Sequence, residues 1–392
     1  MIINSLLDSD LYKFSMQQAV LELFPEAKVN YRFTNRGKQR FNQEFLEALK
    51  EEIKNMSSLA LTKLEKNWFK NTCPYFKSWY FEYLENYLFN PDEVIVGLTE
   101  DNNLTIDIKG LWHSTILWEV PLMALISELY FRIVDKSWSP NGDWGMQEQV
   151  KKAYLKGQIL EQNGCYFSEF GTRRRRGFFV QNAVVSQLMK SKTFSGTSNV
   201  FLAMINGLKP IGTMAHEWIM ANSVLEGLRN ANYFGLQNWV RVYNSDLGIA
   251  LPDTYGVDAF LRNFNKRLAK LYDGVRHDSG DAYVFTDKIV AHYKKCGIDP
   301  MSKVIIFSDG LDVDEAIKIA NYCKGKIKCA FGIGTTFTND FDGSPALNMV
   351  IKLYSINSVP VVKLSDNPGK ATGDKDALRV AKYIFFNTPL DA

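Results

Sequence analysis

Six short clusters of glycine, hydroxyl, arginine and aspartate residues carry most of the chemistry that this sequence offers. They lie, each directly after a short apolar run, at 171–173, 196–199, 212–216, 276–281, 308–310 and 332–335. Hydroxyls, guanidinium groups and backbone N–H groups all bind phosphate oxygens, and backbone N–H groups do so best where a helix begins. The shared composition of the clusters therefore predicts a site for a phosphorylated ligand.

The cluster at 276–281 has the highest density of polar side chains. Arg276 offers a cation for a ligand carboxylate, while Asp278 and Asp281 offer oxygens for sugar hydroxyls or Mg²⁺. The alternative is an ordinary turn in which an aspartate bonds the backbone and an Arg–Asp pair lies at the surface. The density of polar groups favours the functional interpretation.

His216 is the side chain best suited to a covalent role. It follows the small residues of 212–215 at the predicted start of a helix, and Glu217 comes next. A single histidine near a helix start is usually structural or solvated. At the edge of a phosphate site an imidazole can also act as a nucleophile or phosphoryl carrier, provided that a carboxylate fixes its tautomer.

The glycine clusters at 332–335 and 308–310 are less specific when each is taken alone. The amides of Gly332 and Gly334 could cradle a phosphate, but a turn that requires positive φ is the favoured interpretation of this cluster. An Asp-Gly pair marks ordinary turns, and Asp312 fits the N-cap of the helix that follows.

Four consecutive arginines, at 173–176, have three interpretations. A charge run usually forms a solvated face, and a nucleic-acid patch is the next alternative. This run follows a predicted strand and precedes an apolar helix, which suits phosphate capture, because a guanidinium binds phosphate oxygens in a fork. The phosphate interpretation applies to Arg173, the first of the four.

Hydrophobic periodicity predicts the elements that position these clusters. After residue 165, short apolar runs alternate with amphipathic helices such as 257–272, 281–296 and 312–324. The predicted strands are 165–170, 193–196, 209–213, 247–251, 274–278, 303–308, 327–332 and 348–354. Repeated strand–helix units form a parallel sheet, here a (β/α) barrel, with a doubly wound open sheet as the alternative. In both, the carboxyl ends of the strands share one face, which would gather the clusters into one site.

The first third of the chain has a mixed α+β pattern. A helix lies within 1–25, with Asp8 or Ser9 as its cap, and strict alternation of apolar residues predicts strands at 28–34 and 103–109. We expect an N-terminal α+β domain at 1–125, an α/β barrel with the active site at 126–345, and a C-terminal segment at 346–392 that packs on both.

The composition excludes several classes of protein. Hydrophobic residues make up 46% and charged residues 23% of the 392 residues, which excludes wholesale disorder. A net charge of +3 is too small for a protein built mainly to bind nucleic acid. The five cysteines include no CxxC pair, so we expect no disulfide framework or zinc ribbon, and a reducing cytoplasm is the predicted location. We expect no signal peptide and no membrane span, because the start lacks an apolar segment and the longest uncharged run is polar.

Together, these motifs resemble those of the nicotinate phosphoribosyltransferase family. The resemblance extends along most of the chain, and it rests on the order of the matches rather than on any single one. The matching segments are SDLYKFSMQQAV (9–20), YRFTNR (31–36), FGTRRR (170–175), GTSNV (196–200), GTMAHEW (212–218), GVRHDSGD (274–281), FSDGLD (307–312), FGIGTT (331–336) and VVKLSDNPGK (361–370).

The resemblance implies an enzyme of NAD biosynthesis that joins nicotinate to the ribose of phosphoribosyl pyrophosphate and releases pyrophosphate. It also implies that ATP drives the reaction through phosphorylation of His216 and that Mg²⁺ accompanies the pyrophosphate, with unknown protein ligands. The implied fold is an irregular (β/α) barrel of the type II phosphoribosyltransferase kind with an N-terminal α+β domain. We expect a monomer or a homodimer, with no nucleic-acid or membrane partner.

The same resemblance implies a role for each site residue. Asp253 would orient His216, and Asp278 would bind the ribose hydroxyls. Tyr12 would stack on the pyridine ring, within its own subunit or across a subunit boundary. The residues implied to hold nicotinate are Thr213 and Arg276. The residues implied at the phosphates are Arg173, Gly310, Gly334 and Thr335.

The charge of the base distinguishes nicotinate from nicotinamide. Nicotinate is an anion and requires a cation such as Arg276, whereas the amide of nicotinamide prefers a carboxylate acceptor. No acidic residue lies in 211–215, just before His216. We therefore expect nicotinate as the substrate, with nicotinamide phosphoribosyltransferase as the alternative.

Two other classes of protein are alternatives. A sugar-phosphate aldolase needs a Schiff-base lysine at a strand end, and Lys363 is the nearby candidate, although it lies outside the glycine clusters. A nucleic-acid-binding protein would use the arginines at 173–176, but the small net charge disfavours it.

Overall fold

The computed structural model describes residues 1–138 and 145–388. The strands are β1 (Lys28–Asn35), β2 (Val94–Leu98), β3 (Leu104–Leu111), β4 (Phe167–Glu169), β5 (Phe194–Thr197), β6 (Ile249–Ala250), β7 (Gly274–His277), β8 (Val304–Phe307), β9 (Lys328–Ile333), β10 (Asp340–Phe341), β11 (Ser344–Pro345), β12 (Met349–Ile356) and β13 (Val359–Pro360). They form an antiparallel sheet in the order β13-β12-β1-β3-β2, a parallel sheet in the order β5-β4-β9-β8-β7-β6, and the hairpin β10-β11.

The helices surround these sheets. The α-helices are α1 (Leu11–Leu23), α2 (Gln43–Asn55), α3 (Lys63–Thr72), α4 (Ser78–Asn86), α5 (Trp112–Thr115), α6 (Glu119–Leu129), α7 (Met146–Gln162), α8 (Phe178–Leu188), α9 (Val200–Ile205), α10 (His216–Leu225), α11 (Ala231–Tyr243), α12 (Val257–Asn263), α13 (Lys266–Leu271), α14 (Ala282–Lys295), α15 (Val313–Cys323), α16 (Thr335–Thr338) and α17 (Lys375–Phe386). Short 3-10 turns that position site residues are Thr172–Arg174 and Pro252–Thr254. None of the described helices combines the length and apolar composition that a membrane crossing requires.

The antiparallel sheet joins the two ends of the chain. Its central strand β1 pairs with β3 on one side and with β12 on the other. The strands predicted at 28–34 and 103–109 are confirmed as β1 and β3. The strand predicted at 348–354 exists as β12, but its assignment to the parallel series is wrong. Its side chains alternate between buried and half-buried, which is typical of an antiparallel sheet with one covered face.

The parallel sheet contains six of the predicted strands, β4 to β9, and confirms the α/β fold class. The strand predicted at 209–213 is wrong, because this segment has a single ladder bridge, from Pro210 to Thr197, and proline cannot donate to a ladder. Ile211 N still donates to Thr197 O at 2.9 Å, and Thr213 Oγ1 donates to Ile249 O at 3.2 Å. The segment therefore contacts both edge strands, β5 and β6, and links the two ends of the sheet irregularly.

Side-chain caps explain where the helices of the parallel half begin. The helices predicted at 281–296 and 312–324 are confirmed as α14 and α15. Asp281 Oδ1 accepts the backbone N–H groups of residues 283 and 284, both at 2.8 Å, and Asp312 caps α15. The single helix predicted at 257–272 is wrong, because Asn265 caps a second helix, α13, within it.

The N-terminal helix begins later than its predicted caps imply. Asp10 is the N-cap of α1, and it makes no side-chain capping bond. The prediction that Asp8 or Ser9 caps this helix is wrong. Asp8 is instead bonded to Arg175, on the loop that follows β4.

A cluster of buried aromatic rings joins the two halves of the molecule. Trp112 follows β3 of the antiparallel sheet, and its ring centroid lies 6.0 Å from that of Trp218 on α10. Trp218 in turn packs at 5.6 Å against Trp239 on α11, and its Nε1 donates to Gly235 O at 2.8 Å. These contacts fix the orientation of α10, the helix that begins with His216.

The C-terminal segment contacts both halves. Its strand β12 lies in the antiparallel sheet, while Ser365 Oγ donates to Ser279 Oγ at 2.9 Å, beside the parallel sheet. Phe385 on α17 stacks on Tyr255, with ring centroids 4.5 Å apart. The division into domains at 125 and 345 stays a prediction, and residues 389–392 of the last segment lie outside the described residues.

We expect Trp218→Ala to lower the free energy of unfolding by about 3–5 kcal/mol, because it removes a fully buried ring and leaves a cavity between the halves. Urea denaturation followed by circular dichroism measures the change. Trp79→Ala is the matched control, since the Trp79 side chain is 38% exposed, and it should cost less than about 1 kcal/mol. Equal losses in the two variants would contradict the structural role of the aromatic cluster.

Candidate active site

A cavity of about 280 Å³ lies at the carboxyl ends of β4, β7, β8 and β9, and β12 forms its opposite wall. Eight of the ten predicted site residues line it: Tyr12, Arg173, His216, Arg276, Asp278, Gly310, Gly334 and Thr335. Of the other two, Asp253 lies directly behind His216, and Thr213 uses its hydroxyl to bond the backbone of β6. The structure thus brings five of the six sequence clusters together in one cavity. The cluster at 196–199 does not line it, because Thr197, Ser198 and Asn199 bond buried carboxylates instead, so its predicted place in the site is wrong. The predicted contact of Thr213 with the base stays a prediction.

The imidazole of His216 lies between two carboxylates. Its Nε2 is 2.8 Å from Oδ1 of Asp253, which is 1% exposed, and its Nδ1 is 3.6 Å from Oδ2 of Asp278. Lys363 Nζ lies 3.0 Å from Asp253 Oδ2 and 2.9 Å from His216 Nε2, and Ser279 Oγ donates to Asp253 Oδ2 at 2.6 Å. An ionised carboxylate can only accept, so the 2.8 Å contact with Asp253 assigns the proton to Nε2. The Lys363 ammonium, which can only donate, then bonds Asp253 rather than the ring. Nδ1 is 3.6 Å from Asp278, beyond hydrogen-bonding distance, and keeps a free lone pair.

These neighbours set the charge of the pair. Burial lowers the pKa of His216, and the Lys363 ammonium lowers it further, against the opposing effect of the Asp253 carboxylate. Burial alone would raise the pKa of Asp253, but His216 and Lys363 hold it well below its usual range. The arrangement therefore holds a neutral imidazole against an ionised carboxylate near neutral pH, which is the state required of a nucleophilic histidine.

Only one carboxylate of the cluster at 276–281 faces the cavity. Asp281 caps α14, so its predicted role as a ligand to sugar or metal is wrong. Asp278 lines the cavity and accepts a hydrogen bond from Ser308 Oγ at 3.0 Å. Burial raises the pKa of Asp278, but the Arg276 guanidinium and His216 lower it below its usual value. Asp278 is therefore the ionised group available to a sugar or a cation.

Three of these side chains are also close enough to share a metal ion. His216, Asp253 and Asp278 each offer a ligand atom within 4.8 Å of the others. Mg²⁺ prefers oxygen ligands, and the oxygens of Asp253 are already bonded to His216, Ser279 and Lys363. A Mg²⁺ ion bound mainly through substrate oxygens fits beside Asp278 alone.

The arginine run divides into two pairs. Arg173 and Arg174 line the cavity, and NH1 of Arg173 lies 3.5 Å from Oε1 of Glu119. Arg174 was not predicted as a site residue, although it is adjacent to one that was. The cavity thus receives two guanidinium groups from the turn Thr172–Arg174.

The other pair, Arg175 and Arg176, is fully buried. Arg175 binds Asp8 in a fork, with N–O distances of 2.8 and 2.7 Å. The guanidinium of Arg176 lies between the rings of Phe131, at 3.6 Å, and Phe341, at 4.0 Å. The interpretations of the run as a solvated face or a nucleic-acid patch are therefore wrong for these two residues.

The glycines of the cavity serve two different purposes. A Cβ at Gly332 would lie 2.3 Å from the ring of Phe170, so glycine is required for the close approach of β9 and the end of β4. The interpretation of 332–335 as a turn with positive φ is wrong, since neither glycine in it has positive φ. Gly310, with φ of +56° and open space around it, does form such a turn.

Sequence reasoning missed a buried charge cluster behind Tyr12. Lys13 is fully buried, and its Nζ lies 2.5 Å from a carboxylate oxygen of both Glu119 and Glu217. Burial would lower the pKa of Lys13, but the two glutamates raise it above its usual value. Lys13 and Glu217 both lie within motifs that match the family, which marked each of them as a candidate. No pattern in the sequence indicates that the two residues form a pair.

Two lysines from the C-terminal segment also line the cavity. Lys363 was considered only as an aldolase nucleophile, but its ammonium is paired with Asp253, which does not suit Schiff-base formation. Lys352 on β12 was missed altogether. Burial and the nearby cations Lys363 and Arg36 lower the pKa of Lys352 to about 8. The wall formed by β12 is therefore positively charged.

Comparisons with known proteins agree with this geometry. The model of the nicotinate phosphoribosyltransferase (NAPRTase) family matches residues 165–389, and that of the NAPRTase N-terminal domain matches residues 7–127. A nicotinate phosphoribosyltransferase of Methanosarcina mazei is 55% identical over the full length of both chains. The solved nicotinate phosphoribosyltransferase of Porphyromonas gingivalis is 40% identical, with a TM-score of 0.94 over 98% of this chain and 100% of that one. The solved enzyme of Vibrio cholerae is 36% identical, with a TM-score of 0.92 over 100% and 96%.

We expect two variants to shift the pKa of His216 in opposite directions. Lys363→Met removes a cation and should raise it, whereas Asp253→Asn removes an anion and should lower it. Proton NMR titration of the ring resonances measures both shifts. Lys288→Met, at an exposed lysine paired with Asp258, is the control and should leave this pKa unchanged. Shifts in the same direction would contradict the described charge arrangement.

Proposed function

This chain belongs to the nicotinate phosphoribosyltransferase family, and from that premise we propose how its cavity joins nicotinate to phosphoribosyl pyrophosphate and couples the step to ATP. The relatives are nicotinate enzymes, and no comparison favours nicotinamide as the base. One observation carries the proposal. The Nδ1 atom of His216 and the carboxylate of Asp278 lie 3.6 Å apart in the same cavity as the predicted phosphate-binding groups.

Nicotinate binds between aromatic rings and a cation. Tyr12 and Phe170 both line the cavity, and each offers a flat face to the pyridine ring. The Nε atom of Arg276 is buried and makes no hydrogen bond with the described residues, so the guanidinium is available to the nicotinate carboxylate. Tyr12 belongs to the same chain as the other lining residues, which supports stacking within one subunit.

Phosphoribosyl pyrophosphate binds across the carboxyl ends of the strands. Its phosphates meet the guanidinium of Arg173 and the backbone and hydroxyl groups at Gly310, Gly334 and Thr335, all of which line the cavity. Its ribose hydroxyls bond the ionised carboxylate of Asp278. Mg²⁺ bound to the pyrophosphate would neutralise part of its charge, and Asp278 is the side chain that would hold the ion.

Positioning and electrostatics account for the transfer. The bond between ribose C1 and the pyrophosphate oxygen breaks as the pyridine nitrogen bonds to C1, and positive charge develops on the sugar ring. Asp278 stabilises that charge, and Arg173 stabilises the departing pyrophosphate. The pyridine nitrogen already has a free electron pair, so the step needs no general base.

ATP acts through His216. The lone pair of Nδ1 attacks the γ-phosphorus, the bond to the ADP oxygen breaks, and Nε2–H stays bonded to Asp253. The phosphoryl group adds negative charge on the side of the ring that faces Asp278, whose Oδ2 lies 3.6 Å from Nδ1, in the cavity that Arg276 also lines. Formation and hydrolysis of the phosphohistidine therefore change the charge near both bound substrates. This change couples the hydrolysis of ATP to the affinity of the protein for its substrates.

The proposed location is the cytoplasm. All five cysteines are unpaired in the structure, and three of them are buried. Free thiols are typical of a reducing compartment.

We expect His216→Ala to abolish the stimulation of nicotinate mononucleotide synthesis by ATP while a slow, ATP-independent transfer remains. Initial rates with and without ATP measure the first effect. Labelling with γ-phosphate-labelled ATP should place an acid-labile phosphate on the wild-type protein and none on the variant. His292→Ala is the control, because that ring bonds the backbone oxygen of Phe264 just after α12, and it should keep the label. Full ATP coupling in the His216 variant would refute the phosphohistidine.

We expect Arg276→Ala to raise the KM for nicotinate about 10–100-fold, because a charge-assisted hydrogen bond contributes about 1.5–3 kcal/mol. The KM for phosphoribosyl pyrophosphate should change far less, and selectivity for nicotinate over nicotinamide should fall. Steady-state kinetics with each base tests all three. Arg229→Ala, at an exposed arginine, should alter none of them. Equal increases for both substrates would mean that Arg276 does not hold the base.

A further inference from the structure

Glu169 is a fully buried carboxylate that the proposed mechanism does not use. It is the last residue of β4 and is 0% exposed. Three donors from three different elements bond its side chain. Oε1 accepts the backbone N–H of Gly171, while Oε2 accepts Thr197 Oγ1 at 2.6 Å and Gln181 Nε2 at 3.0 Å.

These donors hold the loop that presents Arg173. Gly171 leads directly into the turn Thr172–Arg174, and a Cβ at Gly171 would lie 2.8 Å from Glu169 Oε1. The same amide of Gln181 that donates to Glu169 also donates to Thr172 Oγ1, at 3.0 Å. The carboxylate therefore holds the loop directly at Gly171, two residues before the cavity-facing Arg173, and through Gln181 at Thr172.

The surroundings of Glu169 favour its ionised form weakly. All three bonded groups donate to the side chain, and an ionised carboxylate accepts from all of them. No cation lies within hydrogen-bonding distance of Glu169 among the described residues. Burial raises the pKa of Glu169 to about 7, and the charge of Asp10 adds to that effect. Arg175 is the other charged group that faces Glu169. Its guanidinium is already bonded to Asp8, so the positive charge of Arg175 and the negative charge of Asp8 have opposing effects on Glu169.

We propose that Glu169 is a positioning residue for phosphoribosyl pyrophosphate: its ionised carboxylate holds the loop 170–174 so that Arg173 faces the phosphates, and its protonation loosens that hold. Protonation reverses the bond with Thr197, whose hydroxyl can also accept, and it leaves Gly171 N–H and Gln181 Nε2 bonded to a neutral acceptor, which holds them more weakly than a carboxylate does. Affinity for this substrate then falls as the pH falls through neutrality. The inference rests on the proposed role of Arg173 at the phosphates.

Binding of phosphoribosyl pyrophosphate to the full chain tests the proposal, with ATP and nicotinate left out so that neither phosphorylation nor transfer contributes. Calorimetric Kd values are compared between about pH 6 and about pH 8.5, on either side of the expected titration. The ligand titrates identically with every variant, so differences between variants report the protein. Asp10, which is also buried, is unchanged in each variant.

We expect Glu169→Gln to weaken binding about tenfold at high pH, equivalent to losing about 1.4 kcal/mol, and to abolish the loss of affinity towards low pH that the wild type shows. Lys352, whose pKa in the same cavity is lowered to about 8, titrates in every variant and so does not contribute to the difference between them. Thr197→Val removes one donor and keeps the carboxylate, so it should move the midpoint of the wild-type pH dependence upwards. Glu65→Gln, at a buried glutamate whose carboxylate accepts the backbone N–H of Thr62 at the start of α3, is the matched control and should leave both the affinity and its pH dependence unchanged.

Arg173→Ala separates failure of this inference from failure of the proposed function. If Arg173→Ala weakens binding while Glu169→Gln has wild-type affinity and pH dependence, Glu169 does not position the loop. If Thr197→Val leaves the midpoint in place, the titrating group is not Glu169, and this holds even where Glu169→Gln fails to fold. If Arg173→Ala leaves the affinity unchanged, the phosphate role of Arg173 itself is wrong.

Discussion

The hydrogen bond between Asp253 and His216 is the interaction on which the candidate site depends. A carboxylate that is 1% exposed is costly unless it is paired, and Asp253 is paired three times, with an imidazole, an ammonium and a hydroxyl. Those pairings come from α10, from the C-terminal segment and from the loop after β7. The same carboxylate that selects the tautomer of His216 therefore also joins three distant parts of the chain around it.

Buried pairs of this kind recur around the cavity. Lys13 is held by two glutamates, and Arg175 is held by Asp8 in a fork. Each pair is formed between residues far apart in the sequence, and each fixes the backbone next to a residue that faces the cavity. Tyr12 precedes Lys13, and Arg173 precedes Arg175 by two positions. The cavity side chains are thus positioned by neighbours that cannot move without exposing an unpaired buried charge.

The sequence was sufficient for what depends on local pattern. Apolar alternation located β1 and β3, short apolar runs located six strands of the parallel sheet, and five of the six polar clusters after apolar runs do meet in one cavity. Prediction from the sequence failed where the position of a side chain depends on residues far away along the chain. Lys352 reached the cavity because β12 pairs with β1, more than 300 positions earlier in the chain. Neither local propensity nor motif spacing contains that information.

The charge on the cavity wall explains why an anionic ligand belongs there. Five cations line the cavity, from Arg173, Arg174, Arg276, Lys352 and Lys363, against the carboxylates of Glu119, Glu217 and Asp278. Part of each glutamate's charge is already taken by Lys13. Burial is the main cause of the lowered pKa of Lys352, and repulsion from the neighbouring cations Lys363 and Arg36 adds to it. A ligand with several negative charges reduces the repulsion between the cations that line the cavity. The arrangement of charged side chains in this fold therefore favours a polyphosphate ligand.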